Sequence, residues 1–132
     1  MTLIENLPAK DLRFLNLALE EIEKSEFHSS LRVGACLVNG KVYTACNQHR
    51  PIYKKKFVYY SLHAEMIVML KSLRDKKRIK TLYVARIADG KFGYCRPCTE
   101  CQKWLQAFGV KVVKYTDCVD GMNILCTWKL SG

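Results

Sequence analysis

Residues 79–116 read IKTLYVARIADGKFGYCRPCTECQKWLQAFGVKVVKYT, and this stretch decides the architecture. Ile79 to Ile87 is apolar and rich in β-branched residues, and Asp89-Gly90 bounds it, so it is expected to be a strand. Residues 97–108 are expected to form a helix. Pro97 suits its first position, where no backbone donor is needed, and Gly109 suits its close. VKVVKYT over 110–116 is then the next strand. A strand, a helix and a strand in succession imply parallel pairing in a layered α/β sandwich, because a parallel return needs a long crossover.

Working outward, MNILCTWK over 122–129 is a further strand. Only about five residues precede it, far fewer than the dozen a parallel crossover needs. It is therefore expected to run antiparallel to its predecessor, with Asp120-Gly121 in the turn. Upstream, residues 62–75 are expected to be a helix with Ser61 as its N-cap. RVGACLV over 32–38 and KVYTAC over 41–46 flank Asn39-Gly40, a strong hairpin signal. Residues 47–60 are a polar, basic loop. Residues 8–24 carry Leu12, Leu15, Leu19 and Ile22 at helical spacing, with Pro8 in the first turn. The order α-β-β-α-β-α-β-β implies a three-layer α/β/α sandwich. Its five-stranded mixed sheet has the fifth strand antiparallel to the fourth. No repeat, low-complexity tract or linker interrupts it, so residues 1–132 are read as one domain.

Nearly half the residues are apolar, enough for one core at this length. No apolar run is long enough to cross a membrane, and the N-terminus lacks the pattern of a signal peptide. The expected location is the cytoplasm, or the nucleus by diffusion. Seven cysteines cannot all pair, and a reducing compartment would keep them as thiols. Cys36, Cys46 and Cys126 lie in strand-like runs and read as small buried hydrophobes. The net charge is +10 and unevenly placed: residues 31–80 hold twelve basic and two acidic side chains. That field suits phosphate groups, and equally a solvated face.

Cys98-Thr99-Glu100-Cys101 puts two thiols on one face at the start of a helix, where the helix dipole favours thiolates. By itself the spacing fits a redox pair, half of a structural zinc site, or chance. His63-Ala64-Glu65 opens the other central helix. One His and two Cys make three ligands and leave the fourth position of a tetrahedral zinc open, the mark of a catalytic site. A carboxylate beside the water in that position can take its proton and hand it on.

His63-Ala64-Glu65 followed by Pro97-Cys98-Thr99-Glu100-Cys101, with 31 residues between Glu65 and Pro97, resembles the signature of the zinc-dependent deaminases. Val33-Gly34-Ala35-Cys36-Leu37-Val38 resembles the V-G-A strand of cytidine deaminases, and Ala45-Cys46-Asn47 their G-x-N segment. Cys98 through Tyr115 resembles the following helix and strand, so the similarity to the cytidine deaminase superfamily spans roughly residues 11–129. The resemblance implies that His63, Cys98 and Cys101 bind Zn²⁺ and that Glu65 shuttles protons. Zinc-bound hydroxide would then displace the amino group of a base. It further implies that Asn47, Ala64, Arg96 and Pro97 contact substrate.

The short link before the last strand resembles the free-nucleoside enzymes, which are typically oligomers. It implies conversion of cytosine to uracil in a nucleoside or nucleotide, by a homo-oligomer (tetramer or dimer). The tRNA adenosine deaminases carry Gly-Ala soon after the second cysteine, where Gln102-Lys103-Trp104 stands here. Two departures leave the substrate open. His63 stands where free-nucleoside enzymes of this size carry Cys, and Asn47-Gln48-His49 lacks their sugar-reading carboxylate. The basic loop Arg50 to Lys56, with Tyr53, Phe57, Tyr59 and Tyr60 around it, suits phosphates and stacked bases. A cytosine deaminase acting on single-stranded DNA or RNA is thus the alternative. A catalytically weak nucleic-acid-binding module on the same fold is a third reading.

Overall fold

A computed structural model describes residues 1–25, 32–49, 61–62, 64–72, 80–88, 91–97 and 99–130. The chain opens with β1 (Thr2–Leu3) and a 3-10 turn over Ile4–Asn6. Helix α1 (Ala9–Ile22) follows, with Pro8 one step earlier than expected, at the N-cap. α1 buries Phe14, Leu15, Ala18 and Ile22, a single stripe at helical spacing. Leu12, chosen from the sequence, is instead 40% exposed. The stripe is rotated because small Ala18 sits where the helix meets the sheet most closely. A Cβ built on Gly34 would lie 1.9 Å from the Ala18 carbonyl oxygen. Only glycine permits that approach.

Strands β2 (Val33–Val38) and β3 (Val42–Cys46) form the expected hairpin, from Gly34↔Cys46 to Val38↔Val42. Its connection is three residues rather than two. Gly40 takes a φ of 99°, and the Lys41 N–H donates to Asn39 Oδ1 at 3.2 Å. Two short strands, β4 (Gln48–His49) and β5 (Ser61–Leu62), then pair with each other. Ser61 therefore belongs to a strand and does not cap the next helix, α2 (Ala64–Lys71). β6 (Lys80–Ala88) carries a short partner, β7 (Lys91–Phe92), before α3 (Thr99–Ala107). Gly109, at a φ of 86°, closes α3 as its sequence position predicts. The chain ends in β8 (Val110–Val119) and β9 (Met122–Lys129). They join through Asp120 and Gly121, with φ of 51° and 77°, a tight two-residue turn with both φ positive.

The sheet runs β1-β9-β8-β6-β2-β3, with β7 beside β6. It thus has seven strands where five are expected from sequence, and the additions are the two-residue pieces β1 and β7. β6 and β8 are parallel, with α3 as the crossover. β9 is antiparallel to β8, as its short turn requires. β3 and β6, on either side of α2, run the same way, but β2 lies between them, antiparallel to both.

The strands alternate cleanly between two layers. Cys36, Tyr83, Ala85 and Leu125 pack beneath α1. Ala35, Leu37, Leu82, Val84 and Val113 pack beneath α2 and α3 with Ala64, Val68, Met69 and Leu105. The three-layer α/β/α order is therefore observed. Cys36 and Cys46 are buried, and burial pushes the Cys36 thiol up to about 12, but Cys126 is only half-buried. Among the described residues no helix is long and apolar enough to cross a membrane.

Candidate functional site

β3 and β6 end at the same edge of the sheet, because both are antiparallel to β2. Asn47 directly follows β3. The β4–β5 pairing brings the chain back beside Asn47 before α2 begins. The segment 93–97 leaves β7 and leads into α3, and α2 and α3 pack against each other. The starts of both helices are thus gathered near one edge, where the helix dipoles favour negative charge.

Asn47 is buried and anchored. Its Oδ1 accepts from Ser25 Oγ at 2.7 Å and from the Val33 N–H at 3.0 Å. Its backbone N–H donates to the Val33 carbonyl at 3.1 Å. The side chain therefore ties the start of β2 and the end of β3 to Ser25, three residues beyond α1. Ser25, 22 positions away, carries no signal in the sequence that would identify it.

Ala64 and Glu65 form the first turn of α2. Ala64 is fully buried and Glu65 is 5% exposed. Cys101 lies in the first turn of α3 and is 2% exposed, and Pro97 just before that helix is buried. Arg96 is exposed, and its guanidinium lies 4.1 Å from the centre of the Trp128 ring. His63 and Cys98 lie outside the described residues, as does the basic loop Arg50 to Lys56. Hence no group of three metal-binding side chains comes together among the described residues.

The approach to α3 is held by a network absent from the sequence reading. Thr116 of β8 is fully buried. Its Oγ1 accepts from the Arg86 N–H at 3.1 Å and donates to the Gly93 carbonyl at 2.9 Å. Cys95 Sγ donates to the Val84 carbonyl at 3.2 Å and touches Thr116 Oγ1 at 3.2 Å. Burial pushes the Cys95 thiol up to about 12, and the negative charge of Glu65 adds to the effect. Cys95 is thus held toward its neutral form. The only sequence signal for this network was a threonine inside an apolar strand, too common a feature to single out.

The donor chemistry fits a zinc ion. A thiol and a carboxylate, both almost fully buried, open two neighbouring helices. Such groups are costly in an apolar interior unless a cation or hydrogen bonds compensate their charge. Thiolate sulfur is a preferred zinc donor.

The family described as the cytidine and deoxycytidylate deaminase zinc-binding region matches residues 8–117. The chain belongs to that family. The match covers α1 through most of β8 and includes both candidate motifs. No curated protein sequence matches the chain. Among solved structures, it is similar to cytidine deaminase from Burkholderia pseudomallei, with a TM-score of 0.62 and 19% identity over 92% of this chain and 93% of that one. It is also similar to cytidine deaminase from Mycobacterium tuberculosis, with a TM-score of 0.60 and 19% identity over 82% and 85%. A third likeness is to cytidine deaminase from Mycobacterium leprae, with a TM-score of 0.61 and 16% identity over 89% and 94%. At these identities the likeness establishes the cytidine deaminase fold. The family places the chain among cytidine-type deaminase hydrolases.

Proposed function

We propose that the protein hydrolyses cytosine to uracil in a nucleoside or nucleotide, at a zinc ion held by His63, Cys98 and Cys101. The observation that carries this reading is Glu65, a carboxylate 5% exposed in the first turn of α2. Burial of that kind suits a group that handles protons out of bulk water. Bound at the site, zinc supplies a water acidified toward neutral pH.

The residues of the chain do the rest. Glu65 takes the proton of the attacking water and passes it to the ring nitrogen beside the amino-bearing carbon. A second proton passes through Glu65 to the amino group. The carbon–nitrogen bond then breaks, ammonia leaves, and the carbon keeps the new oxygen as a carbonyl. Ala64 presents its backbone to the base, and Pro97 and Arg96 border it. Asn47, its amide oxygen fixed by Ser25 and Val33, contacts the sugar or base.

Ammonia release from cytidine, deoxycytidine and deoxycytidylate tests the proposal. Glu65→Ala is expected to lower turnover by about a hundredfold or more, with zinc content unchanged. Turnover that survives this substitution would remove Glu65 from the mechanism.

A further inference from the structure

Two side chains on the approach to α3 reach rings of the last two strands. Arg96 lies over Trp128 of β9 at 4.1 Å. Tyr94 meets Tyr115 of β8 edge-on, with ring centres 5.7 Å apart and planes at 84°. Tyr115 and Trp128 border the same side of the core, the layer beneath α2 and α3. Tyr94 is 55% exposed, so its ring is open to a ligand. The family match ends at residue 117, so Trp128 lies beyond the matched residues.

We infer that Tyr94, Arg96 and Trp128 form a platform for the nucleotide next to the target cytosine, so that cytosine within a single-stranded nucleic acid is preferred over free nucleosides and mononucleotides. The inference rests on the cytosine-deaminase reading above and extends it to the neighbouring residue of a strand. Aromatic faces stack any base, which makes them a platform for strands of mixed sequence. A guanidinium stacked on a ring keeps its in-plane donors for a phosphate. A free nucleoside brings neither a phosphate nor a second base to such a surface, and a mononucleotide brings only the phosphate. The net charge of +10 favours the strand again, since each phosphate adds to the attraction. Arg96 and Tyr94 lie two and four positions before Cys98, so the platform adjoins the proposed metal site in the chain.

Trp104 and Trp128 are the only tryptophans, so Trp104→Phe leaves Trp128 as the sole reporter. In that background, with Glu65→Ala to silence turnover, Trp128 fluorescence is titrated with deoxycytidine, deoxycytidylate and a single strand of about ten nucleotides. The strand is expected to quench Trp128, and to do so less tightly as salt rises. Deoxycytidine and deoxycytidylate are expected to leave it unquenched at the same concentrations. Tyr94→Ala is expected to weaken strand binding roughly tenfold, and Tyr94→Phe to restore it. Absence of strand quenching, quenching by deoxycytidylate as strong as by the strand, or a Tyr94→Ala affinity equal to the parent would each overturn the platform. Ammonia release by the unsubstituted protein separates the two readings. Deamination of nucleosides without strand quenching overturns the platform alone. Strand quenching without deamination of any substrate overturns the proposed function and leaves Tyr94, Arg96 and Trp128 as a strand-binding surface only.

Discussion

Thr116 shows how much of a site rests on a residue that does no chemistry. Its single oxygen joins β6, β8 and the segment that delivers the chain to α3. Thr116→Val keeps the shape but removes the acceptor of the Arg86 N–H and the donor to Gly93. A loss of about 1–3 kcal/mol in urea unfolding is expected, with most of it recovered in Thr116→Ser. If the segment positions Cys101, Thr116→Val also surrenders zinc to a chelator more readily than Thr116→Ser does. Asp11 makes a second prediction at this scale. Burial works to raise its pKa, but hydrogen bonds from Tyr83 and Lys114 outweigh that and hold it below its ordinary 3.8. Lys114 Nζ lies 2.9 Å from its carboxylate. Because the folded value is depressed, the unfolded chain takes up the proton first as pH falls. The stabilisation is therefore complete above about 4 and is lost as pH falls through the folded value. The stability gap between the parent and Asp11→Asn should be wide at pH 7 and narrow at pH 3. An unchanged gap would sink this account. Neither residue was legible as important, since their partners lie 21 to 103 positions away in the chain.

At the scale of elements, the sequence was most legible where a local rule left one answer. The two-residue connection before β9 admits only an antiparallel hairpin, and the turn carries the left-handed conformations that Asp120 and Gly121 suit. A Cβ at Gly121 would meet nothing within 4 Å, so Gly121→Ala isolates the backbone cost. It should lower stability by roughly 1 kcal/mol and leave catalysis alone, as urea melts and turnover would show. Elements of two residues were not legible, because β1, β4, β5 and β7 are too short to display a period. Ser61 illustrates the point. It looked like a cap because serine favours caps, but pairing with His49 claims it for a strand. The buried stripe of α1 was misread at Leu12 for a different reason, while Leu15 and Ile22 are buried as expected. Hydrophobicity favoured the leucines, while the close approach of Gly34 to Ala18 set the rotation.

At the scale of the molecule, the three layers and the mixed sheet follow from element order, and the family match spans the two motifs that the sequence displays openly. The motifs are visible because metal and proton chemistry restrict residue type. The scaffold around them is not, because many side chains can make its contacts. Zinc bound to the folded chain alone should stabilise it. Chelation is expected to lower the thermal midpoint by several degrees, added zinc to restore it, and Cys101→Ser to respond to neither. An unchanged midpoint after verified zinc removal would contradict a metal held by this fold. Gly34 also governs something remote from its own contact. Because the atom it faces is the backbone oxygen of Ala18, no choice of side chain at position 18 can make room for a larger residue at 34. The whole helix would have to move, taking with it Ile22, which also lies against Gly34, and Ser25 just beyond. Ser25 and Val33, the neighbour of Gly34, both donate to Asn47 Oδ1. The outer layer thus acts as a gauge block for Asn47 at the end of β3. Tolerance for change along α1 is set by the reach of one asparagine as well as by the packing of the helix itself.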